Sequence, residues 1–347
     1  MKKFLSVLLV LALVLALFTP ATALADYDYD LIPTPHMIVT DGDNPSVVFY
    51  ERAADEKIYP ASTTKIMTCL VALEYGNLDD EFMVGEEVLG TTVKFTSYSS
   101  LMGLQPGETV TLRDLVYGLM LVSGNDAGEA IAKHVAGSID AFVTLMNNKA
   151  AELGMSGTHY TNPHGVHNDD HYTTARDMAK LASHALQNQD FCDIIETKEY
   201  TVPANNVRTA PLELKNTDRL LVAVEGDSLN TVYQYAIGIK TGDTDKAGKC
   251  LVAAAEKDGA RVIVALFGDK ADLYNNDKET TNLARFVNAG SIFDYVFDNE
   301  YQVVTGTELG LQKSFSTGVV NGDEADLSDG QLTMSADLDS VVIRALA

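Results

Sequence analysis

Pro60-Ala61-Ser62-Thr63-Thr64-Lys65, followed by the apolar run from Ile66 to Leu73, is the stretch from which the rest of the chain is read. Ser62 and Lys65 are three residues apart, so a helical backbone puts them on one face within side-chain reach. A serine hydroxyl is a poor nucleophile until a base stands beside it, and a lysine kept neutral by its surroundings can be that base. The flanks are not those of a surface pair. Pro60 marks a helix start, and the apolar run directly after Lys65 sends the helix into a core, where a lysine needs a reason to be. The bland alternative is a snorkelling surface lysine, its stem covering apolar neighbours and its ammonium in water.

Two further motifs turn the pair into a constellation. Ser123-Gly124-Asn125 falls between two helical patterns, and Lys240-Thr241-Gly242 follows Tyr235 to Ile239, which reads as a strand. Each is ordinary alone: Ser123 can end a helix, Asn125 can cap the next, and Lys240 can be a charge at a strand end. Ser-x-x-Lys, Ser-x-Asn and Lys-Thr-Gly, in that order over one globular length, form the motif set of class A β-lactamases and penicillin-binding proteins.

The elements around the motifs set the architecture. Met37–Val39 and Ser46–Tyr50 flank the turn cluster Asp41 to Asn44, giving a hairpin. The Ser62 helix runs to about Gly76, and residues 77–110 read as irregular, with a turn at Pro106-Gly107. Thr111-x-x-Asp114 is a capping box opening a helix to Val122. A second helix spans about Asp126 to Val135, and Ser138 caps a third from Ile139 to Leu153, closed by Gly154. Thr174-x-x-Asp177 opens another to about Leu186. Strands then return: Tyr235 to Lys240, and Lys249 to Ala255 with Arg261 to Phe267 around Asp258-Gly259, a hairpin signal. A last helix from about Thr281 to Phe297 closes the domain. Strands at both ends with helices between them predict an α+β fold, with an antiparallel sheet built from both ends of the domain beside a helical subdomain. The motifs fall at the seam between the two layers, where sites form.

Composition bounds the rest. The 347 residues are 46% hydrophobic, enough for a sizeable core and more than one domain. Lys2-Lys3, the apolar run Phe4 to Phe18 and Ala23-Leu24-Ala25 read as a secretory signal peptide over residues 1–25, so the protein is expected to be exported and extracytoplasmic, in the envelope or secreted. A net charge of −24 argues against nucleic acid or anionic lipid as partners. Cys69, Cys192 and Cys250 offer no disulfide framework, and Cys69 and Cys250 read as core residues. No Cys/His cluster has metal-ligand spacing, and no cofactor is expected. His159, His167 and His171 read as loop residues, and His164 in Asn162-Pro163-His164-Gly165 as a backbone-bonded loop histidine before a catalytic one.

The longer phrases carry a resemblance. Tyr59 to Met67, Ser123-Gly-Asn-Asp-Ala127, Asn162 to Gly165, Thr174-Ala-Arg-Asp-Met178, Asn216 to Leu220 and Gly238-Ile-Lys-Thr-Gly242 resemble the serine D-alanyl-D-alanine carboxypeptidases, the low-molecular-mass penicillin-binding proteins, over about residues 30–297. The resemblance implies a β-lactamase/transpeptidase-like fold in residues 26–298, with residues 299–347 a partial or truncated C-terminal β domain. It implies removal of the terminal D-Ala from peptidoglycan stem pentapeptides through an acyl-enzyme on Ser62, and covalent inhibition by β-lactams. Lys65 would accept the serine proton and Ser123 would relay a proton to the leaving amine. Asn125 would hold the acyl-side amide, while Lys240 and Thr241 would bind the terminal carboxylate. Gly242 would let the strand come close, and the backbone N–H groups of Ser62 and Asp243 would form the oxyanion hole.

The chain also departs from that family. Asp243 puts a carboxylate beside the substrate's own, where it repels unless it points away or pairs with Lys246. No Arg occurs between Asp272 and Asn282, where many relatives carry one, and the chain ends at Arg344-Ala-Leu-Ala347 with no basic amphipathic helix to serve as a membrane anchor. The Glu-x-x-Leu-Asn pattern that follows the Ser-x-Asn motif in class A β-lactamases is absent, so a drug adduct should persist rather than be hydrolysed. The rivals are a cross-link endopeptidase using the same motifs, a β-lactamase, and a binding module with a decayed site.

Overall fold

The computed structural model describes residues 27–91, 94–96, 98–303, 314–318, 331–335 and 342–344. The expected signal peptide lies outside the described residues. The chain falls into two units, residues 1–32 and residues 33–347. In the first unit, Tyr29–Leu31 form one 3₁₀ turn capped by the Asp28 carboxylate.

In the second unit, β1 (His36–Asp41) and β2 (Val48–Arg52) form the expected hairpin, with a bulge between Val39 and Thr40. A 3₁₀ turn, Ala61–Thr64, leads into helix α1 (Lys65–Tyr75). Inside the segment read as irregular, β3 (Glu81–Met83) pairs with β4 (Thr109–Thr111). Helices α2 (Leu112–Leu121), α3 (Asn125–Ala136), α4 (Ile139–Glu152), α5 (Ala175–Ala185) and α6 (Gln189–Glu196) follow. Short strands β5 (Glu199–Val202) and β6 (Leu212–Lys215) pair with each other, then β7 (Ala236–Thr244), β8 (Gly248–Lys257) and β9 (Ala260–Asp269) form a meander. Helix α7 (Lys278–Asn299) packs on β8 and β9. Near the end, β10 (Tyr301–Val303) pairs with β13 (Val342–Arg344), and β11 (Ser314–Gly318) with β12 (Gln331–Ser335).

The main sheet has the order β2-β1-β9-β8-β7, antiparallel at every pairing, so the N-terminal hairpin adds to the C-terminal meander as expected. Local chemistry accounts for most ends. Thr111 and Asp114 make the reciprocal capping box at α2, and Ser138 and Thr174 cap α4 and α5. Asp258 and Gly259 both have positive φ, as a two-residue hairpin turn requires. Helix α6 was not expected; Asn188 caps it, and Phe191, Ile194 and Ile195 are buried.

Helix α1 is the axis of the helical layer. Every residue from Lys65 to Ala72 is buried, and Ile66, Met67, Leu70 and Val71 each contribute about 1.5–3 kcal/mol by leaving water. Cys69 and Cys250 are fully buried, and burial raises both thiols, that of Cys250 to about 12, so both pack as small apolar residues. Strand β7 is an edge of the sheet and packs against the Ala61–Thr64 turn. That edge brings the Lys-Thr-Gly strand to Ser62.

Candidate active site

Ser62 lies in the 3₁₀ turn, one turn earlier in geometry than the α-helix expected there. In a 3₁₀ turn residues i and i+3 eclipse, which aligns Ser62 with Lys65. Lys65 Nζ lies 3.0 Å from Ser62 Oγ, 2.8 Å from Asn125 Oδ1 and 2.7 Å from the His164 carbonyl oxygen. The side chain is wholly buried, so the snorkelling alternative is excluded. Burial drives the amine well below the ordinary lysine range; the nearby Lys240 charge pushes the same way and Asp126 opposes it.

Asn125 is the first residue of α3 and does not cap it. Gly124 occupies the cap position, and the Asn125 amide oxygen goes to Lys65 instead. Ser123, two residues earlier, has φ +58°, a left-handed conformation unusual for a residue with a side chain. Its Oγ is buried and bonds to none of the described residues. Asp126 holds the facing loop through the N–H groups of Met102, Gly103 and Leu104 at 2.8–3.0 Å.

The turn bearing Ser62 is held by contacts that leave little slack. Ala61 has φ +49°, strain stored next to Ser62. Thr64 Oγ1 donates to the Ala61 carbonyl at 2.8 Å. His171 Nδ1 accepts from the Thr161 N–H, so its Nε2 carries the proton and donates to Thr64 Oγ1 at 2.8 Å. Burial lowers the His171 pKa to about 3, which keeps the ring neutral in this relay. His171 is the loop residue expected, but buried and supporting the turn. An imidazole 107 positions from Thr64 left no local signal.

His164 acts through its backbone. Its carbonyl meets Lys65, while the ring is buried and points to Glu129 at 3.4 Å. Burial lowers the imidazole pKa against the pull of Glu129. Glu129 in turn accepts from Thr91 N–H and Oγ1, which pins the loop over α3.

On the strand side, a Cβ on Gly242 would lie 3.0 Å from the Pro60 carbonyl and 3.2 Å from Ala61 Cβ, so a larger residue would push β7 off the turn. Lys240 is buried, and its Nζ donates to Thr241 O at 3.3 Å. Burial lowers its pKa to about 7, opposed by Asp218 and aided by Arg285. Asp218, from the Asn216 to Leu220 phrase, accepts from Leu220 N–H at 2.9 Å, and burial raises its pKa. Asp243 pairs with Lys249, the residue opposite it in register, not with Lys246. Residues directly opposite each other across an antiparallel pair present their side chains on the same face, which is why the partner is on β8.

An arginine does reach this region, although from inside α7 and not from the segment before it. Arg285 is buried beneath β7 and donates to Gly242 O at 2.9 Å and Cys250 O at 3.3 Å. Its signal was weak, an arginine in an otherwise amphipathic helix, which reads as solvent-facing. Ser62, Asn125, Gly165, His167, Asp243 and Thr244 line one cleft of about 380 Å³.

A helical layer and an antiparallel sheet whose edge strand closes on a Ser-x-x-Lys turn describe the penicillin-recognising serine enzymes as a class. Comparison with known proteins narrows this. A family model for D-alanyl-D-alanine carboxypeptidases matches residues 25–271, and the chain belongs to that family. It is 33% identical to the D-alanyl-D-alanine carboxypeptidase DacF of Bacillus subtilis over 82% of this chain and 70% of the relative. It is 38% identical to DacA of Escherichia coli over 65% of this chain and 54% of that protein. A solved D-alanyl-D-alanine carboxypeptidase of Mycobacterium tuberculosis superposes with TM-score 0.65 at 30% identity, covering 77% of this chain and 91% of that one. A Streptomyces DD-transpeptidase gives 0.61 at 31% identity, over 74% and 98%. The protein is a serine-type carboxypeptidase/transpeptidase of peptidoglycan with a cell-envelope role, and membership implies D-Ala-D-Ala stem peptides as substrates and sensitivity to β-lactams. Among the described residues no helix is long and apolar enough to cross a membrane.

Proposed function

We propose that the protein trims the terminal D-Ala from stem pentapeptides through an acyl ester on Ser62, in a catalytic domain of residues 26–298 exported by a signal peptide over residues 1–25, with 299–347 a β segment after it. The observation that carries this reading is the environment of Lys65. A neutral amine has two N–H donors and one lone pair. Asn125 Oδ1 and the His164 carbonyl take the two donors, which leaves the lone pair for the proton of Ser62 at 3.0 Å.

Deprotonated Ser62 attacks the penultimate carbonyl, and the N–H groups of Ser62 and Asp243 receive the developing oxyanion. Ser123, its hydroxyl buried and uncommitted among the described residues, passes the proton to the departing D-Ala amine. Asn125 orients the acyl-side amide. Lys240 supplies charge and Thr241 a hydroxyl to the terminal carboxylate, and water then attacks the ester. The Asp243 carboxylate, drawn to Lys249, is partly neutralised before a substrate carboxylate arrives.

Mass spectrometry tests the reading. Wild type with penicillin should hold a stable adduct on Ser62 and should release D-Ala from diacetyl-Lys-D-Ala-D-Ala, and Ser62→Ala should do neither. An adduct without D-Ala release favours a cross-link endopeptidase; rapid drug turnover favours a β-lactamase.

One limb of the pH profile follows from Lys240. Carboxylate binding needs Lys240 charged, so kcat/KM, which reports the free enzyme, should fall as pH rises through about 7. Asp218→Asn removes the negative charge that holds the Lys240 pKa up, so this limb should move to lower pH. A limb that stays in place in the variant would rule out Lys240 as its origin.

A further inference from the structure

In a chain of net charge −24, a second cleft of about 350 Å³ is lined by Lys57, Lys246, Lys270 and His36, with Asp272 as the sole carboxylate in its wall. Five lysines elsewhere in the protein are neutralised, Lys149, Lys180, Lys215, Lys249 and Lys257 each pairing with a carboxylate. Lys57 lies over the Tyr172 ring at 3.9 Å, and among the described residues none of the three cleft lysines is ion-paired. Three cations converging in a concavity create a local positive potential against the field of the whole chain.

This cleft continues the catalytic one. Lys246 lines both, and Tyr59, three residues before Ser62, forms part of the wall. The direction of the substrate then follows, resting on the carboxypeptidase reading above. If the terminal carboxylate sits at Lys240 and Thr241, the acyl part must leave the other way, past Asp243 and Thr244 toward the turn that carries Lys246. β7 ends at Thr244 and Lys246 sits in the turn just beyond it, so a donor peptide leaving along the strand reaches this cleft within a few residues upstream of the scissile bond.

We propose that the Lys57–Lys246–Lys270 cleft is a subsite for a free carboxylate on the donor stem peptide, a few residues upstream of the bond cut. It would make the enzyme prefer a stem whose acidic residue keeps its carboxylate over one in which that group is amidated. Partly exposed charge pairs are individually weak, so the preference is a modest one in kcat/KM, roughly fivefold.

The test uses the full chain and two pentapeptides ending in D-Ala-D-Ala, identical except for carboxylate or carboxamide on the acidic residue. Wild type at low salt should favour the carboxylate peptide roughly fivefold, and 1 M salt, where the screening length is about 3 Å, should erase the difference. The triple variant Lys57→Gln, Lys246→Gln, Lys270→Gln should bring the ratio to about one. Turnover of both peptides by wild type at equal kcat/KM, or a ratio unchanged in the variant, overturns the subsite and leaves the carboxypeptidase standing. Failure of wild type to release D-Ala from either peptide overturns the carboxypeptidase reading and the subsite with it.

Discussion

Lys65→Met is expected to lower the rate of Ser62 acylation by penicillin about three to five orders of magnitude, with the fold intact. The methionine keeps the length and apolar stem of the lysine, so the packing of α1 against its neighbours is preserved. It removes the only basic nitrogen bonded to Ser62 Oγ among the described residues. Two opposed terms set stability. Asn125 Oδ1 and the His164 carbonyl each lose a donor, at about 1–3 kcal/mol apiece. Against that, an amine whose burial disfavours its charge is replaced by a side chain that wants to be buried. The net change should be within about 2 kcal/mol, so a urea melt separates lost chemistry from lost folding. Near wild-type acylation by a folded Lys65→Met protein would remove the lysine from its role as base.

The second large effect is expected at Gly165. Its φ is +84°, and a Cβ there would sit 1.8 Å from the Ala61 carbonyl oxygen and 2.8 Å from Thr64 Oγ1. The first of these is backbone of the turn that carries Ser62, so no side-chain rotation relieves the clash. Gly165→Ala must move either that turn or the Asn162 to Gly165 loop, whose His164 carbonyl holds Lys65. A stability loss of about 2–4 kcal/mol is expected. Activity at a temperature where the variant is folded should fall at least about a hundredfold, because reacting groups would shift by the order of an ångström. Gly154→Ala is the control: its φ is +66°, but nothing lies within 4 Å of the added carbon, so only about 1–2 kcal/mol of backbone strain and no loss of activity are expected. Equal activity loss in the two variants would show that the contact with Ala61 is not what matters.

The two predictions differ in how far the residues could be read beforehand. Lys65 was legible because its relation to Ser62 is local: three positions, one turn, an apolar run on its far side. Gly165 stood in a quoted phrase with no reason attached, since the atom it must avoid belongs to a segment about a hundred residues earlier. Asn125 shows the same divide in one side chain. Local rules make it a helix cap, yet the amide instead crosses 60 positions to a lysine, because a buried amine without acceptors costs more than an uncapped helix end. His164 entered as a question about its imidazole and proved to matter through its carbonyl, which residue type does not encode.

The sequence by itself determined the elements whose causes lie within a few residues: the capped starts of α2, α4 and α5, the left-handed Asp258-Gly259 turn, the Ser62–Lys65 spacing, and the order of strands and helices that makes an α+β fold. Only the tertiary structure decided which distant groups meet: His171 with Thr64, Arg285 with the Gly242 carbonyl, Asp243 with Lys249. The same holds for the desolvation of Lys65 and Lys240, which comes from closing the sheet edge onto the helical layer. Backbone propensity and caps act over one turn of chain, whereas burial and charge are properties of what surrounds a residue in space, and those surroundings exist only once the two layers have packed.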